Sequence, residues 1–476
     1  MNTKLSISLL LAGNAAYLAA EQAKPNIVYI MTDQQSYQML SCAGNGNLST
    51  PAMDKLANRG YRFNKTYCVN PVSVPSRFAL LTGHYGSEVG VRYNAAPVDK
   101  EKLEPLLQEN AMGHLFRKGG YETLFAGKIH SPMANNKGTL KERMDKNYGF
   151  DYYCEDDGME MAKETAEILL KRKKEEKPLL MYVSLMNPHD VNFFWNPSIL
   201  AHTEKPKNMT QREWETLNSV ANAQTKMPEA EYKKQIPPLA KNFAPTSDEP
   251  TMDGDQKFTD KERLGFYSWV YHRLTEKVDA EINVVLEALE KSEISDNTII
   301  VFTSDHGDMN GSHQLIMKNR FYEEAARVPF VFVGPGIKKG VVDNETVACN
   351  GMDLIPTLCD FAGISKPNSL TGKSLKPLLT GKSKKLDRNY LFIENTVGFM
   401  VMDGRYKYAM YDGTGRTELL VDNQLDPLET QNLAYKESAS TVKKRLRSEL
   451  EKWMADRNLQ LDPTITKFPK DKKKKE

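Results

Sequence analysis

Cysteine is scarce in this chain. Five residues in 476, Cys42, Cys68, Cys154, Cys349 and Cys359, form an odd set without Cys-x-x-Cys spacing. That excludes a disulfide-built scaffold and argues against a cysteine-bound zinc site. An excess of one charge is also missing. The formal charge is +2, and the last ten residues, KFPKDKKKKE, carry net +4 of it, leaving the rest at about −2. A basic body for nucleic acid is therefore excluded, and residues 465–476 read as a solvated, disordered tail. Long apolar runs are absent as well. Beyond the N-terminus no segment is long and apolar enough to cross a bilayer. What is present is 40% hydrophobic residues in a chain long enough for one large domain and a smaller one.

The N-terminus carries Lys4, an apolar run from Leu5 to Ala12 and small residues up to Ala20. The run is too short to span, so residues 1–20 read as a secretory signal peptide and the protein as exported, periplasmic or secreted, from a bacterium. No cysteine follows the run, so no lipid anchor is expected.

Four short apolar runs rich in β-branched and aromatic residues alternate with helical patterns, which is an α/β signature. They are NIVYIM from Asn26, ETLFAG from Glu122, LLMYVSLM from Leu179 and NTIIVFTS from Asn297. Each is followed by chemically capable residues: Thr32-Asp33-Gln34, Lys128-Ile129-His130, Asn187-Pro188-His189-Asp190 and Asp305-His306-Gly307-Asp308. Ligands of a mostly parallel sheet bind beyond the carboxyl ends of its strands, so the four ends are expected to meet at one site.

Helices fill the intervals. In STPAMDKLANRG, Thr50 stands as N-cap, Pro51 as first helical residue and Gly60 as stop. The longest pattern runs from about Arg263 to Ser292, with Leu274, Val278, Ile282, Val285 and Leu289 on one face. Residues 201–256 read as a polar, proline-bearing irregular insertion, either a lid or substrate-binding loop or a disordered stretch. After Gly381 come three strand-like stretches turning at Asp403-Gly404 and a helix from about Ser438 to Arg457. The expected architecture is a large, mostly parallel sheet flanked by helices over residues 21–381, with a small α+β subdomain over 382–464.

In NPVSVPSRFALLTG, Ser73 opens a helix and Arg77 lies on the same face one turn later. Unpaired N–H groups and the positive dipole end favour an anion there, and a guanidinium behind a hydroxyl suits sulfate or phosphate. On spacing alone, a simple serine N-cap explains the same placement.

The stretch SVPSRFALLTG resembles the signature of the type I, formylglycine-dependent sulfatases, members of the alkaline phosphatase superfamily, in which the leading Cys or Ser is oxidised to an aldehyde. Cys68 does not fit, because Asn70 and Val72 stand where proline and arginine are required. The resemblance extends in order through KPNIVYIMTDQQ, GKIH, NPHD, TSDHGD and MKNRFYEEAARVPF. It implies that Ser73 is the residue matured, by the oxygen-independent bacterial route, and that a formylglycine-generating maturase is a partner. The Asp33-Gln34 and Asp305-His306 pairs also resemble those of phosphonate monoester hydrolases, which leaves a phosphonate or phosphate ester open beside a sulfate ester. A catalytically silent sulfated-glycan binder is the third reading, and the filling of every expected catalytic position argues against it.

The resemblance assigns the metal to Asp33, Gln34, Ser73, Asp305 and His306. Carboxylate and amide oxygens suit Ca²⁺, and the His306 nitrogen keeps Mn²⁺ and Mg²⁺ open. It further implies that His189 protonates the leaving alcohol, that His130 takes the proton that triggers elimination, and that Lys128 and Lys318 neutralise the sulfate, with Arg77 beside the nucleophile. For a sugar, the candidates are His84 and Arg92, the stretch around Asn192 to Trp195, and Arg320. Cationic and stacking side chains there would suit a sulfated glycan, with glycosaminoglycans as the expected class.

Overall fold

The computed structural model describes residues 24–195, 204–207, 209–254 and 257–465. The expected signal peptide and all but the first residue of the basic tail lie outside the described residues. Among these residues no helix is long and apolar enough to cross a membrane.

Among the described residues twelve strands form two sheets. The larger has the order β4-β3-β5-β1-β6-β7-β2-β8, from β1 (Asn26–Asp33), β2 (Tyr61–Tyr67), β3 (Glu122–Gly127), β4 (Asp151–Cys154), β5 (Leu179–Pro188), β6 (Thr298–Ser304), β7 (Phe330–Val333) and β8 (Val341–Cys349). Only β7 runs antiparallel to its neighbours. The four strands whose ends carry the polar clusters are consecutive in space, β3-β5-β1-β6, and all parallel. The fold class is therefore α/β with a mostly parallel central sheet.

Strand β1 is buried along its whole length, which explains its unbroken apolar sequence: both faces of a central parallel strand are covered. Its alternate residues serve opposite layers. Tyr29 and Met31 join Phe78 and Leu81 from helix Ser73–Thr82 and Leu354 and Leu358 from helix Asn350–Ala362. Val28 and Ile30 join Val278, Ile282 and Val285 from helix Lys261–Lys291. That long helix starts where the Asp260 carboxylate accepts the N–H groups of Glu262 and Arg263.

Gly60 does end helix Pro51–Arg59, but in extended conformation rather than as a left-handed cap. Its hydrogen is required by packing, since a Cβ there would meet the Phe332 carbonyl at 2.3 Å. The insertion expected to be irregular is partly helical. Helix Gln211–Lys226 is opened by a reciprocal Thr210/Glu213 capping box, and Leu217 and Val220 pack with Trp269 and Val270. Sparse apolar positions hid it, although the T-x-x-E signal was there to be read.

The smaller sheet is an antiparallel meander, β12-β11-β10-β9, of β9 (Leu391–Asn395), β10 (Gly398–Met402), β11 (Tyr406–Tyr411) and β12 (Glu418–Asp422). It turns at Asp403-Gly404, with Gly404 at φ 94°. Helix Ser440–Ala455 covers it through Leu446, Leu450 and Trp453, the last stacked on Phe392.

Candidate active site

Ser73 is the first residue of helix Ser73–Thr82 and is fully buried. Its Oγ lies 2.9 Å from His306 Nε2. The His306 Nδ1 faces the Gly307 carbonyl at 2.9 Å, which fixes Nδ1 as the protonated nitrogen and leaves Nε2 to accept from the serine hydroxyl. Burial pushes the His306 pKa down to about 4, so the ring is neutral at pH 7. Gly307 is obligatory, because a Cβ would stand 1.9 Å from the Glu324 carbonyl oxygen.

Two carboxylates lie beneath the hydroxyl. Asp33, at the end of β1, accepts through Oδ2 from Lys128 Nζ at 2.6 Å and from Arg77 Nη2 at 2.7 Å. Asp305, directly after β6, accepts through Oδ2 from Arg77 Nε at 2.9 Å and through Oδ1 from the N–H groups of Gln34 and His306. Burial opposes ionisation of Asp33, but Lys128, His189, Arg77 and Lys318 outweigh it and hold its pKa well below the usual carboxylate range. Asp33 Oδ1 is buried without a hydrogen-bond partner, 4.0 Å from His306 Nε2. Ligand atoms of Asp33, Asp305 and His306 all lie within 4.8 Å of one another. An orphaned carboxylate oxygen, a second carboxylate and an unprotonated imidazole nitrogen fit one divalent cation.

Arg77 is committed to these carboxylates. Its Nη1 also donates to the Lys128 carbonyl at 2.9 Å and to Ser184 Oγ at 2.8 Å, so four of its five N–H groups are engaged. It orders the acidic pair instead of reaching out to an oxyanion. Gln34, at φ 67°, also has other partners: its Oε1 accepts from Lys318 Nζ and Asn192 Nδ2, both at 3.0 Å, and its Nε2 donates to Asn192 Oδ1 and Asp308 Oδ2. Lys318 Nζ is 3.5 Å from Ser73 Oγ. Three cations, Lys128, Arg77 and Lys318, thus lie among the carboxylates of Asp33, Asp305 and Asp308, and a divalent cation bound there would tip the balance towards holding an anion.

Partly buried His189 follows β5 directly. Burial and the nearby Lys128 charge push its pKa well below the ordinary histidine value, and its Nδ1 lacks a hydrogen-bond partner. His130 is exposed, at φ 42°, two residues from Lys128.

The sugar candidates scatter. His84 is buried with Nδ1 on Glu88 at 2.8 Å. Arg92 donates to the carbonyls of Asn395 and Gly398 and covers the Phe399 ring, so it clamps the β9–β10 turn. Arg320 is partly buried and donates to the Asn319 carbonyl. Trp195 has 47% of its surface exposed. Sequence reasoning missed the structural parts played by Ser184, Asp308 and the Asn192 amide. Their signal was position, since each lies in or just beyond a strand end already singled out.

A buried hydroxyl at a helix start, a carboxylate–imidazole cation site and two lysines, one approaching the hydroxyl and one on Asp33, suit a hydrolase of anionic esters. The chain belongs to the sulfatase family: it matches the Sulfatase family over residues 25–364, and the C-terminal part of N-sulphoglucosamine sulphohydrolase over residues 311–456. It is 30% identical to a Delta 4,5-hexuronate-2-O-sulfatase of Bacteroides thetaiotaomicron, with 90% of this chain and 88% of that protein covered. A solved 2-O GAG sulfatase is 27% identical at TM-score 0.72, covering 92% of this chain and 95% of that one. A structure in complex with its substrate D-glucosamine-2-N,6-O-disulfate is 25% identical at TM-score 0.66, covering 91% and 98%. The protein is accordingly a sulfuric ester hydrolase.

Proposed function

We propose that this sulfatase cleaves sulfate esters of a sulfated carbohydrate, with glycosaminoglycan saccharides as the leading class, using a formylglycine hydrate made from Ser73. The observation that carries the reading is the Ser73 hydroxyl, held by the neutral His306 at the head of a buried helix and within reach of Lys318. The names of the relatives, which act on sulfated uronate and glucosamine units, support the substrate class.

Asp33, Asp305 and His306, with Ser73 and Gln34 alongside, would hold a divalent cation, which would supply positive charge favouring the ionised nucleophile; Ca²⁺ is the proposed ion, with Mn²⁺ and Mg²⁺ as alternatives. Lys128 and Lys318 bind the sulfate oxygens and offset the charge that builds on them. One hydroxyl of the hydrate attacks sulfur, and the S–O bond to the sugar breaks. The alcohol leaves with a proton from His189, which is neutral in the empty site and gains its proton as the anionic ester arrives. His130 then takes the proton of the second hydroxyl, the C–O bond to sulfate breaks, and the aldehyde returns to be hydrated by water. An unmodified serine has no second hydroxyl to drive that release. Arg77 fixes Asp33 and Asp305. Residues 1–20 are read as an export signal that carries the matured enzyme out of a bacterial cytoplasm.

The test is peptide mass spectrometry on active protein from its native host. Conversion removes two hydrogens, so the Ser73 peptide is expected to be roughly two daltons light. An unmodified peptide from active enzyme refutes the mechanism. A panel of sulfated mono- and disaccharides, set against aryl phosphate and phosphonate esters, tests the substrate; turnover of the phosphorus esters alone overturns the carbohydrate reading.

A further inference from the structure

Next to the reaction centre the surface holds a cavity of about 220 Å³ whose lining includes Trp195, Phe258, Asp260, Arg263, Tyr267 and Ile316, with Lys257 at its edge. Its walls connect to the centre by three routes. Tyr267 donates to Asp308 at 2.8 Å, and Asp308 accepts from the Gln34 amide. Ile316 stands two residues before Lys318, whose Nζ approaches Ser73. Trp195 stands three residues after Asn192, whose amide is paired with that of Gln34.

The chemistry of the lining is specific. Trp195 is 47% exposed, and Phe258, partly buried, lines the same cavity. Arg263, in the first turn of helix Lys261–Lys291, donates through Nη2 to the Trp195 carbonyl at 2.6 Å, which ties the cation to the aromatic residue. Among the described residues Arg263 makes no ion pair, whereas neighbouring Lys257 is neutralised by Glu249 at 2.6 Å. The acid of the lining, Asp260, spends its Oδ1 on the N–H groups of Glu262 and Arg263, so an aromatic residue next to a guanidinium outside any described ion pair matches a pyranose ring that carries an anionic group: the ring stacks, and the carboxylate or sulfate takes the two-pronged contact.

We propose that this cavity is the subsite for the sugar unit adjacent to the one that loses sulfate, and that it selects an acidic sugar, a uronate or a sulfated hexosamine. The inference rests on the carbohydrate reading above and extends it to a second unit, with Trp195 and Arg263 as specificity-determining residues. A substrate ending at the sulfated sugar leaves the subsite empty.

The experiment uses the full chain, matured, with Trp195→Ala and Arg263→Gln compared to wild type on three substrates: an aryl sulfate, a sulfated monosaccharide and a sulfated acidic disaccharide. Both variants are expected to raise KM for the disaccharide by about tenfold while leaving kcat and the two smaller substrates within twofold. Carboxyl reduction of a disaccharide whose neighbouring sugar is a uronate should abolish the Arg263 effect and spare the Trp195 effect. Equal losses on all three substrates, or none on the disaccharide, overturn the subsite. Calorimetric titration of Ser73→Ala protein with the same disaccharide reads the subsite without turnover: weaker binding on adding Trp195→Ala supports it, and unchanged binding overturns it. If no saccharide is hydrolysed yet Trp195-dependent binding persists, the carbohydrate-hydrolysis reading fails while the binding site stands.

Discussion

Arg77→Ala removes, among the described residues, the side chain that hydrogen-bonds both buried carboxylates of the centre. Asp33 and Asp305 are each fully buried, and the guanidinium contacts them at 2.7 and 2.9 Å. After the change Asp33 keeps Lys128, and Asp305 keeps two backbone N–H groups on Oδ1, but Asp305 Oδ2 loses the guanidinium that donates to it. Breaking a buried ion pair from one side costs about 3–5 kcal/mol, so a loss of ~4 kcal/mol is expected, about a thousandfold in the folding equilibrium. The measurement is the denaturant midpoint of the full chain with a chelator present. Arg77→Lys should fall between, since an ammonium restores charge but not the fork that also holds Ser184 Oγ and the Lys128 carbonyl. Adding Ca²⁺ or Mn²⁺ should recover part of the loss, because a cation between the carboxylates replaces the missing charge and binds only the folded form. Stability of Arg77→Ala within about 1 kcal/mol of wild type in chelator would refute the reasoning.

Two further perturbations probe sites away from the centre. Lys407 is fully buried and donates to the Phe321 carbonyl, Glu323 and Glu429 at 2.9, 2.8 and 2.6 Å, so it ties the small sheet to the segment that carries Lys318. Lys407→Met should cost about 3–5 kcal/mol, read as a lower midpoint, and should reduce activity through Lys318; an unchanged midpoint would count against this anchor. His272, buried near Asn45 and the Ser268 carbonyl, has its pKa pushed down by burial to about 4. Between its unfolded value of about 6.5 and that folded value the unfolded chain binds more protons, so stability falls as pH drops through this window. His272→Gln should flatten that part of the acid limb of the stability curve, and an identical pH profile for the variant would contradict the assignment.

The architecture was legible because its signals are local. A central parallel strand is covered on both sides and so reads as an unbroken apolar run, and the polar residues at the ends of β3, β5, β1 and β6 announced themselves in four separate places. The C-terminal meander was equally readable from its β-rich stretches and the Asp403-Gly404 turn. Ser73 stood out because helix start, Pro75 and Arg77 fall within one turn. What the sequence could not decide was how each donor is spent. Arg77 turns to Asp305, Gln34 to Asn192 and Arg92 to the β9–β10 turn, pairings between residues 228, 158 and 303 positions apart. A side chain's partners are set by which strands and loops close around it, and no periodicity along the chain encodes that. The same reason separates Arg92, a plausible sugar ligand by position that became a clamp, from Arg263, which no motif marked and which the long helix brings to Trp195.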